Sequence, residues 1–243
     1  MSGSVFERFR RVAPRVAPRV AVASAAVLAV CAGISMAHGA PVAISRMSDD
    51  ISVPSAPDGA KLSTMGGDIH LGSAGASSAL STMGGDISVG TVTASLSAST
   101  MGGDIDVQSS TGALALSTKG GDIKVGGTNA SVSASTLGGD IQATLQSGKQ
   151  ARSVKLSSLG GDVTVHVPAD FDGTIEARLS FTRNAHETYK IEQPFGLAST
   201  VSPEWETESG TPRKIIEVKG TVGSGRDHLV LSTTNGFIRI IKD

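Results

Sequence analysis

Ser81-Thr82-Met83-Gly84-Gly85-Asp86-Ile87-Ser88-Val89 decides the fold, because this stretch keeps returning along the chain. Gly-Gly-Asp-Ile stands at Gly66 to Ile69, Gly84 to Ile87, Gly102 to Ile105, Gly120 to Ile123 and Gly138 to Ile141, each copy 18 residues after the last. A sixth copy, Gly160 to Val163, follows after 22 residues, and a worn one, Ser45-Arg46-Met47-Ser48-Asp49-Asp50-Ile51, precedes the series. Self-similarity at a fixed period outranks local signals and points to a stacked repeat.

Aligned copies divide into columns. Before the turn, Leu62, Leu80, Ala98, Leu116, Ala134 and Leu156 are apolar; after it, so are Ile69, Ile87, Ile105, Ile123, Ile141, Val163 and, two residues on, Leu71, Val89, Val107, Val125, Ala143, Val165. The residues between the last two columns, His70, Ser88, Asp106, Lys124, Gln142 and Thr164, share no chemistry. Apolar alternation of period two around a free position describes a half-buried strand. Each unit therefore reads as strand, Gly-Gly turn, strand and a second turn of small residues. It is too short to enclose a core alone, but units stacked about 4.8 Å apart share one. The expected fold is all-β: a β-solenoid of 18-residue coils over residues 40–167, continuous with a β-rich C-terminal cap over 168–243. The glycines are expected either at positive φ or where neighbouring coils approach closely.

Composition agrees with a thin core. No aromatic residue lies between Phe9 and Phe171, so the repeats must pack on small aliphatic side chains. Every later aromatic falls in 168–243, where Ile175, Ala177 and Leu179 suggest one strand and Ile215, Ile216 and Val218 another. Leu229, Leu231, Ile238 and Ile240 bracket Ser232-Thr233-Thr234-Asn235-Gly236-Phe237, a last echo of the repeat. Pro194, Pro203 and Pro212 mark Asn184 to Thr211 as an excursion over the cap. A stack has open strand edges at its ends, which is why a cap is expected.

Residues 1–39 read as an export signal: five arginines from Arg8 to Arg19, an apolar run from Val20 to Met36, and small residues at Ala37-His38-Gly39-Ala40. An uncleaved anchor is the alternative, since about 17 apolar residues approach the length that spans a bilayer; the membrane would then be touched only through this segment. The residues after Arg10-Arg11 do not resemble a twin-arginine signal, and Val30 before Cys31 departs from a lipoprotein pattern. Cleavage after Gly39 would leave no cysteine, and with it no disulfide or thiol chemistry. The rest of the chain is mildly acidic, without basic clusters or stacking aromatics, which excludes nucleic acid as a partner. The expected location is outside the cytoplasm, in the periplasm or on the cell surface.

At this point the chain is similar to a family of bacterial exported β-strand-repeat proteins catalogued as adhesins, a domain of unknown function. The likeness rests on the Ser-Thr-x-Gly-Gly-Asp-Ile repeats, on Val167-Pro168-Ala169-Asp170 leading into the Ile175 strand, and on the close of the chain around Asn235-Gly236. It departs from the family in its uniform spacing and in Phe237, where the closing turn often has Asp. The resemblance implies a β-solenoid of the cell envelope with an adhesive role and no catalytic residues.

The sharpest chemical feature is the aspartate column Asp50, Asp68, Asp86, Asp104, Asp122, Asp140 and Asp162. Unit charges about 4.8 Å apart repel by about 0.9 kcal/mol even at the dielectric of water, so something must offset the column. Three readings stand: carboxylates accepting turn N–H groups, a row of calcium ions held by Asp68, Asp86, Asp104, Asp122 and Asp140, or an acidic docking strip. Calcium β-rolls have two Gly-rich turns per coil, and this chain has one, so its ligand supply is about half. Apart from calcium no cofactor is expected.

The Thr64, Thr82, Thr100, Thr118 and Thr136 column lacks the second threonine column of an ice-binding face, and its hydroxyls are expected to bond along the ladder. For catalysis, His70, His166, His186 and His228 show no partner pattern, Gly223-Ser224-Gly225 lacks the spacing of a nucleophile elbow, and Asp227-His228 reads as an exposed turn. The sequence thus predicts a noncatalytic envelope scaffold, adhesin-like or binding an envelope protein or glycan. Its lateral faces, low in apolar residues, would bind by polar, multivalent contacts. A calcium-binding repeat module is the alternative, and a polysaccharide-active β-helix enzyme a more distant one.

Overall fold

The computed structural model describes residues 40–183, 189–206 and 211–243. The export-signal reading, with Cys31, lies outside the described residues, as do the 184–188 and 207–210 parts of the excursion. Each coil contributes one strand to each of two sheets. One sheet takes β1 (Val42–Ser45), the other β2 (Ile51–Val53), and the alternation continues through β3 (Ala60–Ser63), β4 (Ile69–Ala74), β5 (Ser78–Ser81), β6 (Ile87–Val92), β7 (Leu96–Ser99), β8 (Ile105–Ser110), β9 (Leu114–Ser117), β10 (Ile123–Thr128), β11 (Val132–Thr136), β12 (Ile141–Leu145), β13 (Ser153–Ser158) and β14 (Val163–Val167). All neighbours in this stretch are parallel. Ile69 pairs with Ile87, Ile87 with Ile105 and Ile105 with Ile123, the 18-residue register anticipated from the repeat.

The two apolar columns after the turn and the one before it are all buried, in a single core cluster. A further column belongs to that core: Ala74, Val92, Ser110, Thr128 and Leu145 end the second strand of each coil, facing inward. It escapes an alternation count because β4, β6 and β8 break step at Gly72, Gly90 and Gln108, where two successive residues turn away from the core. Ser110 is accommodated because its hydroxyl donates to the Gly112 carbonyl at 2.6 Å. The extra residues behind the 22-residue interval lie in the loop between β12 and β13, opposite the Gly-Gly-Asp turn; Ile141 still pairs with Val163.

The C-terminal part continues with β15 (Gly173–Thr182), β16 (Ile191–Glu192), β17 (Ser199–Val201), β18 (Arg213–Val222), β19 (Asp227–Thr234) and β20 (Ile238–Lys242). The strands expected around Ile175 and Ile215 are β15 and β18, paired antiparallel. The terminal echo of the repeat does form a coil, but inside the stack. β19 lies between β13 and β15, and β20 between β14 and β16. After β14 the chain passes over one layer, and its last two strands fill it: Val163 pairs with Ile238, and Leu231 pairs with both Leu156 and Ala177. The excursion supplies outer strands to both sheets, β16 and β17, and Phe195 packs on Phe171 with ring centroids 5.7 Å apart.

Candidate functional site

The repeated turn between the two sheets gathers the columns that carry polar and polarisable chemistry. Its glycines are fixed by proximity. A Cβ on Gly85, Gly103, Gly121 or Gly139 would stand 2.1 Å from the carbonyl oxygen of the second glycine one coil earlier, and none of these residues has positive φ. Of the two expected causes, close coil-to-coil approach is the operative one. The first glycine is different: a Cβ on Gly102 would meet nothing nearer than 3.7 Å.

The threonine column is buried, and it ties neighbouring coils through the glycines. Thr100 Oγ1 accepts from its own Gly103 N–H at 3.3 Å and donates to the Gly85 carbonyl of the preceding coil at 3.0 Å. Thr82, Thr118 and Thr136 repeat both contacts. Hydroxyls therefore bond along the stack as expected, with a carbonyl rather than another hydroxyl as acceptor.

The aspartates resolve into a second chain of hydrogen bonds. The N–H of Asp68 donates to Asp50 Oδ1, that of Asp86 to Asp68, and so on through Asp104, Asp122, Asp140 and Asp162, at 2.7–2.9 Å. Phe237 closes the series by donating its N–H to Asp162 Oδ1 at 2.8 Å, and with no carboxylate of its own it ends the column. Arg239 Nη1 takes the other oxygen of Asp162 at 3.1 Å. Each charge is thus offset by a peptide dipole, the first of the three readings. Asp68, Asp86, Asp104, Asp122 and Asp140 are all exposed, one to a coil. Among the described residues no three His, Cys, Asp or Glu side chains converge on a position where a metal ion would sit.

The same turn carries a feature that the column reading missed. The position after the threonine column, before the first glycine of the turn or its equivalent, holds Met47, Met65, Met83, Met101, Lys119, Leu137 and Leu159. Met47 is 76% exposed, Met65 51%, Met83 47%, Met101 41%, Leu137 48% and Leu159 57%. The turn edge is therefore a ridge of long, mostly apolar side chains beside a row of carboxylates, and the expectation of lateral faces low in apolar residues is corrected here. The signal was in the sequence: the variable position of Ser-Thr-x-Gly-Gly-Asp is filled almost throughout by a large apolar residue, and only its exposure had to come from the fold.

In the cap, Asp227 is buried, contrary to the exposed turn expected of it. Arg152, on the loop between β12 and β13, donates from Nε to Asp227 Oδ2 at 2.9 Å, with both side chains 3% exposed. Its Nη1 reaches the carbonyls of Thr128 and Gln146. The longer interval before the sixth copy is what carries this arginine to the start of β19. Ser224 donates its hydroxyl straight to Asp172 Oδ2 at 2.6 Å, with no imidazole between them. That bond, then the N–H groups of Gly225, Ser224 and Arg226, holds the Asp172 carboxyl below its ordinary value, so this constellation clamps the loop after β18. His228 Nδ1 pairs with Thr174 Oγ1 at 2.8 Å, and His166 Nδ1 with Asp243 Oδ1 at 3.0 Å. The cap also holds an open cleft of about 260 Å³ lined by Arg178, Thr200, Ser202, Glu206, Ile215 and Glu217.

A β-solenoid whose uniform exposed features, among the described residues, repeat once per coil is a scaffold, with its chemistry distributed along an edge. Residues 36–194 match the model of the Toastrack family, DUF4097, and the chain belongs to that family. Neither a curated protein nor a solved structure matches it.

Proposed function

We propose that this protein is an exported, noncatalytic scaffold of the cell envelope, in the periplasm or on the cell surface, that holds a protein or glycan partner along its repeated turn edge in an adhesin-like role. The observation that carries the reading is the ridge itself. Seven successive coils present a large side chain at one position and a carboxylate three residues on, at a spacing fixed by backbone hydrogen bonds. A periodic array of this kind favours multivalent attachment, in which weak contacts add because they are already aligned. The apolar half of the ridge gives such contacts a desolvated centre, which polar contacts alone would lack. The histidine and serine pairings of the cap support a structural role for those side chains. The hydrogen-bonded aspartates favour turn chemistry over a row of calcium ions.

In-cell photo-crosslinking tests the reading. A photoreactive residue is placed at Met83 on the ridge or at Lys124 on the sheet face of the full-length chain, in the cells that produce it, followed by fractionation. The expected result is an envelope fraction in which the ridge probe forms a discrete adduct and the sheet probe does not. A chain retained in the cytoplasm, or equal adducts from both positions, would sink the proposal.

A further inference from the structure

Four of the six methionines of the chain, Met47, Met65, Met83 and Met101, occupy one position in four successive coils, and none lies elsewhere beyond Met36. Their backbones are locked in register. Gly66, Gly84, Gly102 and Gly120 each donate an N–H to the carbonyl of the methionine one coil earlier, Met47, Met65, Met83 and Met101 in turn, at 3.1 Å. Consecutive side chains therefore leave the stack about 4.8 Å apart and in the same direction. Buried methionine fills irregular gaps in a core, and these side chains, 41–76% exposed, fill none.

The fold has no need of sulfur at this position, because Lys119, Leu137 and Leu159 serve it in the coils that follow. What the position requires is a long side chain over the Gly-Gly turn. What the first four coils add is a thioether. Neutral thioethers are soft donors, and among biological metals they select copper(I) over hard cations such as calcium or magnesium. Two sulfurs bind one ion between them when they stand about 4.6 Å apart, taking a metal–sulfur bond of about 2.3 Å as in zinc thiolates. Three rotatable bonds in each side chain absorb the small difference from the coil spacing. An ion held by neutral donors keeps its positive charge, and Asp50, Asp68, Asp86 and Asp104, three residues on in the same turns, supply the compensating field. Lys119 brings an ammonium to the next coil and ends the row.

We propose that the thioether row Met47, Met65, Met83 and Met101 binds a soft monovalent cation, copper(I) being the physiological member of that class. The site lies in the chain's own turns and does not depend on the partner-binding reading. Silver(I) is the probe, since it shares the chemistry and does not change oxidation state. The full-length chain, labelled with ¹³C at the methionine methyls, is titrated with silver(I) and followed by NMR. Copper(I) affinity is measured separately, without oxygen, by competition with a chromogenic chelator. The ridge methyl signals should shift together and saturate. The M65L/M83L/M101L variant should melt like the parent, because leucine already serves at 137 and 159, and should lose at least 100-fold in copper(I) affinity. If the triple variant does not fold, M65L/M101L removes all three adjacent pairs with two substitutions and should still weaken binding at least tenfold. Methyl signals unmoved by excess silver(I), or leucine variants that hold copper(I) as tightly as the parent, would overturn the proposal.

Discussion

The repeat stack and the C-terminal cap lie on the same two sheets, yet they are held together in different ways. In the stack each contact joins neighbouring coils, 15 or 18 residues apart, and is repeated coil after coil: the threonine to the glycine carbonyl, the aspartate to the next aspartate's N–H, isoleucine beside isoleucine. In the cap the decisive contacts are single and long-range: Arg152 with Asp227 across 75 residues, Phe237 with Asp162 across 75, Ser224 with Asp172 across 52. A periodic stack spreads its stability over many small equivalent terms. A cap that closes such a stack concentrates its stability in a few places, and these are where single substitutions act most strongly.

The largest effect is expected at the buried ion pair. Removing one partner leaves the other charge buried and unpaired, so Asp227→Ala should lower unfolding free energy by roughly 3–5 kcal/mol in urea titration. Replacing both, Arg152→Met with Asp227→Leu, should recover most of that loss. A small loss in Asp227→Ala would erase the contrast between cap and stack. Within the stack, the two glycines of one turn should differ sharply. Gly103→Ala drives a Cβ into a backbone carbonyl of the preceding coil and should cost about 1–3 kcal/mol or more, whereas Gly102→Ala, with room for the methyl, should stay within about 0.5 kcal/mol of the parent. Equal effects would mean that the coils do not approach as closely as the hydrogen bonds imply.

Smaller again is the aspartate column. Asp104→Ala removes the acceptor for the Asp122 N–H and should cost about 1 kcal/mol, while Asp104→Asn keeps an acceptor, relieves repulsion, and should be near neutral. Melting curves in calcium and in chelator should coincide. A midpoint that rises and saturates with calcium, and is lost in the Asp→Asn variants, would replace turn chemistry by a cation row. The last test concerns the pH dependence of the cap. Asp172 is held below its ordinary value of 3.8 by the Ser224 hydroxyl first and then by backbone N–H groups. A depressed folded-state value means stability that is present above the ordinary value and lost as pH falls through the folded one. Parent and Asp172→Asn should therefore differ in melting temperature at pH 7 and begin to converge as pH falls below the ordinary carboxyl value of 3.8. A constant difference across that range would detach the clamp from ionisation.

What the sequence made legible is what repetition makes legible. The isoleucine and valine columns after Asp, the threonine bonds along the stack and the glycine pairs could be read because each copy is a control for the others, and a position that stays apolar in every copy faces the core. The same reasoning saw the aspartate column but could not choose its partner, since a turn N–H and a cation both attract a carboxylate. Asp227 was misread because it occurs once and its partner stands 75 residues away. The ridge from Met47 to Leu159 was overlooked because its position lies in the turn and varies among Met, Lys and Leu, and its exposure is read only from the fold.

By itself, then, the sequence determined the coil, its 18-residue period and the two-sheet cross-section, because those follow from local alternation and from the chain's own internal comparison. The tertiary structure alone decided the order of the last layers, with β19 and β20 inserted beneath β15 and β16, and the burial of Arg152 against Asp227. The physical reason is that strands of like pattern present similar edges to any neighbour. Which edge a strand takes is settled by contacts such as this ion pair, which exist only once distant parts of the chain have met.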